Sequence, residues 1–182
     1  MFKTPFNQGV ISKAVEKGIL SINPIDLREY AEGKHRITDD YQYGGGVGLV
    51  MKVEPICQAV KSIRQNSNTH VILLDPKGKK FCQKEAERLS TIDNITFICG
   101  RYEGVDERVK ELVVDEEFSI GDFILTGGEI PAMAITDSIV RLIDGVINND
   151  SLLSESFEDE LLDYPVYTKP SNFRGMMVPE VL

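Results

Sequence analysis

The sequence predicts an α/β domain with a largely parallel sheet flanked by helices. Three observations carry this. Helix-like and strand-like segments alternate along most of the chain, two strand-like segments are predominantly apolar, and both stop at turn residues. His70-Val71-Ile72-Leu73-Leu74 runs into Asp75-Pro76-Lys77-Gly78, and the run from Ile95 to Cys99 stops at Gly100. A strand that is apolar on both faces is covered on both, so helices must lie on both sides of its sheet.

The elements follow in order. Residues 8–18 predict an opening helix, and Ile19 to Ile22 a short extended piece. Residues 28–48 read as loop, ending in Tyr43-Gly44-Gly45-Gly46-Val47-Gly48. Val53, Ile56, Val60 and Ile63 recur at helical spacing over residues 53–64. The first apolar strand follows, then an amphipathic helix over 79–90 through Phe81, Ala86 and Leu89, then the second strand. A short helix around 104–110 leads through Glu111 to Val114 into a third strand at Phe123-Ile124-Leu125. Pro131 falls in the first turn of a helix reaching Ile143, where a missing N–H costs nothing. Residues 146–163 hold six acids and no base and read as an acidic loop; 164–182 read as a proline-containing linker.

Composition narrows the function. Hydrophobic residues at 42% and charged residues at 27% describe a globular chain. No apolar run is long enough for a membrane span, and no signal peptide is visible. The three cysteines, Cys57, Cys82 and Cys99, form no CxxC pair and read as reduced thiols of a cytosolic protein. Two histidines, His35 and His70, make no metal site. A net charge of −9 argues against nucleic-acid binding by the surface as a whole. The basic clusters at Lys34-His35-Arg36 and at Lys77, Lys79 and Lys80 read as solvated loops.

Residues 98–131 carry the most specific signal. They contain three glycine turns, at Gly100, Gly121 and Gly127-Gly128, each beside an apolar run. Glycine permits φ > 0 and close approach of a ligand to the main chain. Three such bends imply a pocket built of backbone. Ligands of parallel sheets bind beyond the carboxyl ends of strands, and Asp75-Pro76, Gly100 and Gly127-Gly128 all fall at predicted strand ends. Neither a phosphate loop nor a dinucleotide fingerprint is present: Gly44-Gly45-Gly46 lacks the Gly-Lys-Ser/Thr ending, and residues 99–104 lack GxGxxG spacing. Arg141, near the end of the last helix, reads either as a helix cap or as a charge close to the glycine crevice.

These motifs together resemble the bacterial tRNA (guanine-N1)-methyltransferase family. The resemblance rests on Cys99-Gly100-Arg101-Tyr102-Glu103-Gly104 with Arg108, on Ser119-Ile120-Gly121-Asp122, and on Thr126-Gly127-Gly128-Glu129-Ile130-Pro131-Ala132. His35 with Thr38-Asp39-Asp40, Tyr43-Gly44-Gly45-Gly46, and Leu161-Leu162-Asp163-Tyr164-Pro165 before Tyr167-Thr168 extend it over the whole chain. It implies a knotted (SPOUT) methyltransferase with a deep C-terminal trefoil knot, working as a cytoplasmic homodimer on tRNA. Residues 1–145 would be the catalytic domain. Residues 146–182 would be an interdomain loop and linker toward a tRNA-binding domain outside this chain, and an apolar N-terminal strand would precede Met1.

The resemblance further implies S-adenosylmethionine as methyl donor, S-adenosylhomocysteine as product, and N1 of the guanosine just 3′ of the anticodon as acceptor. The cofactor would lie on Leu74, Asp75 and Pro76, on Gly100, Tyr102 and Glu103, and on Ser119, Ile120, Gly121, Asp122, Phe123, Ile124 and Leu125. Its methionine end would approach Gly127, Gly128 and Pro131. Glu155, before Ser156-Phe157, stands where the family carries a catalytic carboxylate, commonly aspartate; Asp150, Asp159 and Asp163 are rivals, and Asp163 also matches a family acid. Arg141 matches the family's charge-stabilising arginine. Mg²⁺ belongs to the same resemblance, with no ligand set legible. Val47 and Leu73 depart from the family pattern, where relatives often carry proline and can carry an aromatic residue. Two other readings stay open: a knotted methyltransferase of a different RNA, and a noncatalytic cofactor-binding or dimerisation module.

Overall fold

The computed structural model describes residues 2–148 and 165–180. Two compact units divide the chain, Met1–Ile147 and Asn148–Leu182. In the first, β3 (His70–Lys80), β4 (Ile95–Cys99) and β5 (Glu116–Ser119) form a parallel sheet in the order β4-β3-β5. Among the described residues of the same unit are the α-helices α1 (Lys3–Phe6), α2 (Gly9–Glu16), α3 (Val53–Asn66), α4 (Gln83–Ser90), α5 (Arg108–Val113) and α6 (Glu129–Val140). The predicted α/β class and parallel sheet are therefore present.

The apolar run of β3 explains the layering. Its side chains alternate between faces: Val71 and Leu73 pack with Ile56 and Val60 of α3 and Val109 of α5. Ile72 and Leu74 pack with Ala86 and Leu89 of α4, Phe118, and Ala132, Ile135 and Ile139 of α6. Burying each such aliphatic side chain is worth about 1.5–3 kcal/mol, so this strand anchors both cores. A third cluster joins Phe6, Ile11 and Ala14 to Val140.

Several elements differ from the sequence reading. The third strand is Glu116–Ser119, not Phe123-Ile124-Leu125. Phe118 fills the core, whereas Phe123 and Ile124 are 54% and 80% exposed. The short helix starts later than predicted, at Arg108. The loop over 28–48 contains β1 (Asp39–Tyr41), which pairs antiparallel with β2 (Leu49–Met51) and frames the glycine-rich segment as a hairpin. The predicted turn at residues 75–78 is a bulge: Leu74 and Lys79 both face Phe118, so β3 leaves β5 and returns. Gly78 permits the return, because a Cβ there would meet the β5 backbone at 2.6–2.7 Å.

A cavity of about 1170 Å³ runs beside β4, between α3 and α6. Among the described residues no helix is long and apolar enough to cross a membrane. The described part of the second unit contains a small hairpin, β6 (Asn172–Phe173) with β7 (Met176–Met177), closed by Val178 N–H donating to Ser171 O at 2.9 Å.

Candidate active site

From β3 the chain passes through α4 to β4 on one side, then through α5 to β5 on the other. The carboxyl end of β3 is therefore a topological switch point, where open α/β sheets place their ligands. A cavity of about 320 Å³ lies there. Leu74, Asp75 and Pro76 line it from the β3 bulge, and Gly100, Tyr102 and Glu103 from the loop after β4. Ser119, Ile120, Gly121, Phe123, Ile124 and Leu125 come from the end of β5, and Gly127, Gly128 and Pro131 from the entry to α6. Asp122 is not in the lining. Lys77, Arg101 and Thr126 also line the cavity, although the sequence motifs that contain them gave them no site role.

Backbone contacts join these segments. Gly128 N–H donates to Gly100 O at 2.8 Å, and Arg101 forms a bridge with Gly127. A Cβ on Gly128 would stand 2.7 Å from Cys99 Cα and 3.0 Å from Gly100 N, so only glycine allows the two loops to touch. The hairpin of β1 and β2 braces the same wall: Met51 N–H donates to Gly104 O, and Glu103 N–H to Leu49 O, both at 3.0 Å. Tyr102 sits at φ 58°, a left-handed conformation uncommon for its type.

An ion pair crosses from one wall to another. Arg101 Nη2 lies 2.6 Å from Glu129 Oε1, and Arg101 Nε donates to the same oxygen at 2.7 Å. Cys99 stands next to Gly100, but burial, then the Glu129 charge, pushes its thiol up to about 12. It is protonated at neutral pH and supplies no nucleophile. Among the described residues no group of three or more His, Cys, Asp or Glu is placed to hold a metal ion.

Among the described residues, Arg141 is not part of this lining. Arg141 caps the C-terminal end of α6, while the opposite end, Gly128 to Pro131, lines the cavity. Twelve residues of helix separate them by about 18 Å along the axis. The expectation that Arg141 lies close to the glycine crevice is therefore corrected for a single chain. Glu155, Asp163, Asp150 and Asp159 lie outside the described residues.

A family model described as tRNA (guanine-1)-methyltransferase TrmD matches residues 1–182. The chain belongs to that family. A protein of Carboxydothermus hydrogenoformans named tRNA (guanine-N(1)-)-methyltransferase is 55% identical over 183 residues, covering 100% of this chain and 72% of the relative. A protein of the same name from Dictyoglomus turgidum is 54% identical, covering 100% and 74%. The crystal structure of tRNA (m1G37) methyltransferase from Aquifex aeolicus superimposes with a TM-score of 0.82 at 43% identity, over 97% of this chain and 74% of that one. The family is one of enzymes, and its members are named for methyl transfer to tRNA guanine.

Proposed function

We propose that the chain transfers a methyl group from S-adenosylmethionine to N1 of the guanosine immediately 3′ of the anticodon in tRNA, leaving S-adenosylhomocysteine. The observation that carries this is the backbone-walled cavity at the switch point, in a chain whose family is named for guanine methylation. Its volume, about 320 Å³, falls at the lower end of the range for small-molecule sites. Glycine edges beside the apolar Ile120, Ile124 and Leu125 suit a flat, nucleoside-like group read by main-chain N–H and C=O.

When bound, the cofactor supplies a methyl carried on a sulfonium, an electrophile that needs no further activation. The protein's task is to align and to move a proton. Holding the reactants in line accounts for as much as about 7–11 kcal/mol. Guanine N1 is protonated at neutral pH, and Glu155 takes that proton as general base, with Asp163 as the second loop acid. The negative charge that passes to the guanine carbonyl oxygen is met by Arg141. No step is assigned to Mg²⁺.

The reading includes a homodimer with a shared site and the deep C-terminal knot. Arg141's distance from the cavity of its own chain supports the first, because a partner's helix end and loop would complete the site. Phe123 and Ile124, exposed at the cavity, offer that partner an apolar face. Residues 1–145 hold the cofactor, residues 146–182 bring the base, and tRNA as substrate places the activity in the cytoplasm.

Methylation of tRNA transcripts tests the reading. Replacing the guanosine 3′ of the anticodon should abolish turnover; unchanged turnover would point to a different RNA position. Glu155→Gln should slow single-turnover methylation about 10²–10⁴-fold, and Arg141→Ala about 10²–10³-fold. Both should keep S-adenosylmethionine affinity in calorimetry. Wild-type rates in both variants would sink the assigned roles.

A further inference from the structure

Behind the cavity, out of its lining, stands Lys110 on α5. Its side chain is only 13% exposed, and its Nζ faces three carboxylates: Glu117 Oε2 at 2.9 Å, Glu107 Oε1 at 3.4 Å and Asp75 Oδ2 at 3.7 Å. Burial works against the charge, but the Glu117 hydrogen bond and the Asp75 and Glu117 charges outweigh it and hold the ammonium above its usual range. A charge this enclosed is costly unless paired, and breaking such a pair leaves an uncompensated ion.

The three carboxylates come from three different segments, of which Asp75 alone lines the cavity. Asp75 lines the cavity from the β3 bulge; its Oδ1 accepts from Lys77 N–H at 2.8 Å, which shapes the turn at residues 75–77. Glu117 directly precedes Phe118, where the β5 wall begins. Glu107 and Lys110 itself follow directly from the loop over 100–105. Both oxygens of Asp75 are therefore engaged within the protein, one by the turn and one by the ammonium. Its contribution to the cavity is the shape of the turn.

We propose that Lys110 is a positioning residue for the cofactor cavity: from behind, its ammonium holds Asp75, and through it residues 75–77, in register with β5 and with the loop leading into α5. This rests on the reading of the cavity as the S-adenosylmethionine site. Lys110 touches no reacting group, so its loss acts on cofactor binding and leaves the chemical step.

The test is calorimetry with S-adenosylmethionine and steady-state methylation of tRNA, using the full chain. Wild type, Lys110→Met, Lys110→Gln, Lys110→Arg, Asp75→Asn and the Lys110→Met/Asp75→Asn double variant are compared, with melting curves to confirm folding. Lys110→Met should raise Kd and KM for S-adenosylmethionine about tenfold, with kcat at saturation within about twofold, and Lys110→Arg should recover most of the loss. In the Asp75→Asn background the same change should cost less than about twofold, because the route through Asp75 is already cut. If Lys110→Met does not fold, Lys110→Gln carries the same expectation. An unchanged Kd, or an equal loss with and without Asp75, would overturn the positioning role while the cavity assignment stands. Folded wild type that binds no S-adenosylmethionine would remove the cavity assignment, and the positioning role with it.

Discussion

The carboxyl end of the sheet and its opposite end, with the flank along α4, are held by different means. At the carboxyl end main-chain contacts join the cavity walls, Gly128 to Gly100, Met51 to Gly104, and Phe81 N–H donating to Ser119 O at 2.8 Å, beside the Arg101–Glu129 ion pair. At the other end side-chain networks bind the elements together. His70 Nε2 lies 2.5 Å from Glu116 Oε1, Arg88 reaches Glu116 at 2.6 Å, and Arg64 reaches Asp115 at 2.9 Å, whose carboxylate also accepts from Val71 N–H at 2.7 Å. Main-chain contacts leave room for a ligand but tolerate no added atom. Side-chain hydrogen bonds and ion pairs fill the space, and each group has a second partner. The difference separates the end that can bind from the end that only holds.

Gly128→Ala is the strongest way to break this distinction. The new Cβ would meet main-chain atoms of Cys99 and Gly100 at 2.7–3.1 Å, and none of them is the tip of a flexible side chain. Forced overpacking of this kind costs about 1–3 kcal/mol. Calorimetry should find S-adenosylmethionine binding lost, and the melting temperature should fall. A variant that binds normally would mean that the loops need not touch to form the cavity.

Arg101→Ala is a smaller and sharper probe. Arg101 is half exposed, and Glu129, at the first turn of α6, holds it over Gly127. A partly exposed pair is worth about 0–1 kcal/mol to stability, yet this one ties the loop after β4 to the entry of α6. Melting should therefore change little, while KM for S-adenosylmethionine should rise several-fold. Glu129→Gln should reproduce the effect in weaker form. If stability falls and KM does not move, the pair is structural only.

How much of this was legible depended on the kind of contact. Val71, Ile72, Leu73 and Leu74 announce a strand covered on both faces, and Val53, Ile56, Val60 and Ile63 a helix, because burial on a regular element leaves a period. The strand Glu116–Ser119 leaves none: only Phe118 and Ser119 are buried, and the two glutamates pair with Lys110, Arg88 and His70. Phe123, Ile124 and Leu125 mimic a strand but line the cavity. Glycine turns marked the cavity because close approach demands a specific residue. Asp122 lies between lining residues without lining the cavity itself. The partnerships of Arg101 with Glu129 and of Lys110 with Asp75 join residues 28 and 35 positions apart, and no local pattern encodes them. Arg141 stands at the end of α6 remote from the crevice, a separation that follows from the helix length and from which end lines the cavity.

The smallest effect sharpens the comparison from the holding end. Glu85 is buried on α4; Lys79 bonds one carboxylate oxygen, and Arg88 donates to the other at 2.8 Å. The hydrogen bond from Lys79, then that from Arg88, holds its carboxyl below the ordinary value of 4.5. The folded state therefore binds its proton less readily than the unfolded chain does. The resulting stabilisation is fully present above about pH 4.5 and fades as pH falls through the depressed folded value. Because Lys79 and Arg88 are largely solvated, Glu85→Gln should cost about 1 kcal/mol or less at neutral pH. Thermal melts of the two proteins should differ most near neutral pH and converge as the pH falls through the depressed folded value, while S-adenosylmethionine affinity stays the same. A gap that does not narrow in acid would show that packing, and not charge, makes Glu85 useful; a change in affinity would show that the two ends of the sheet are coupled after all.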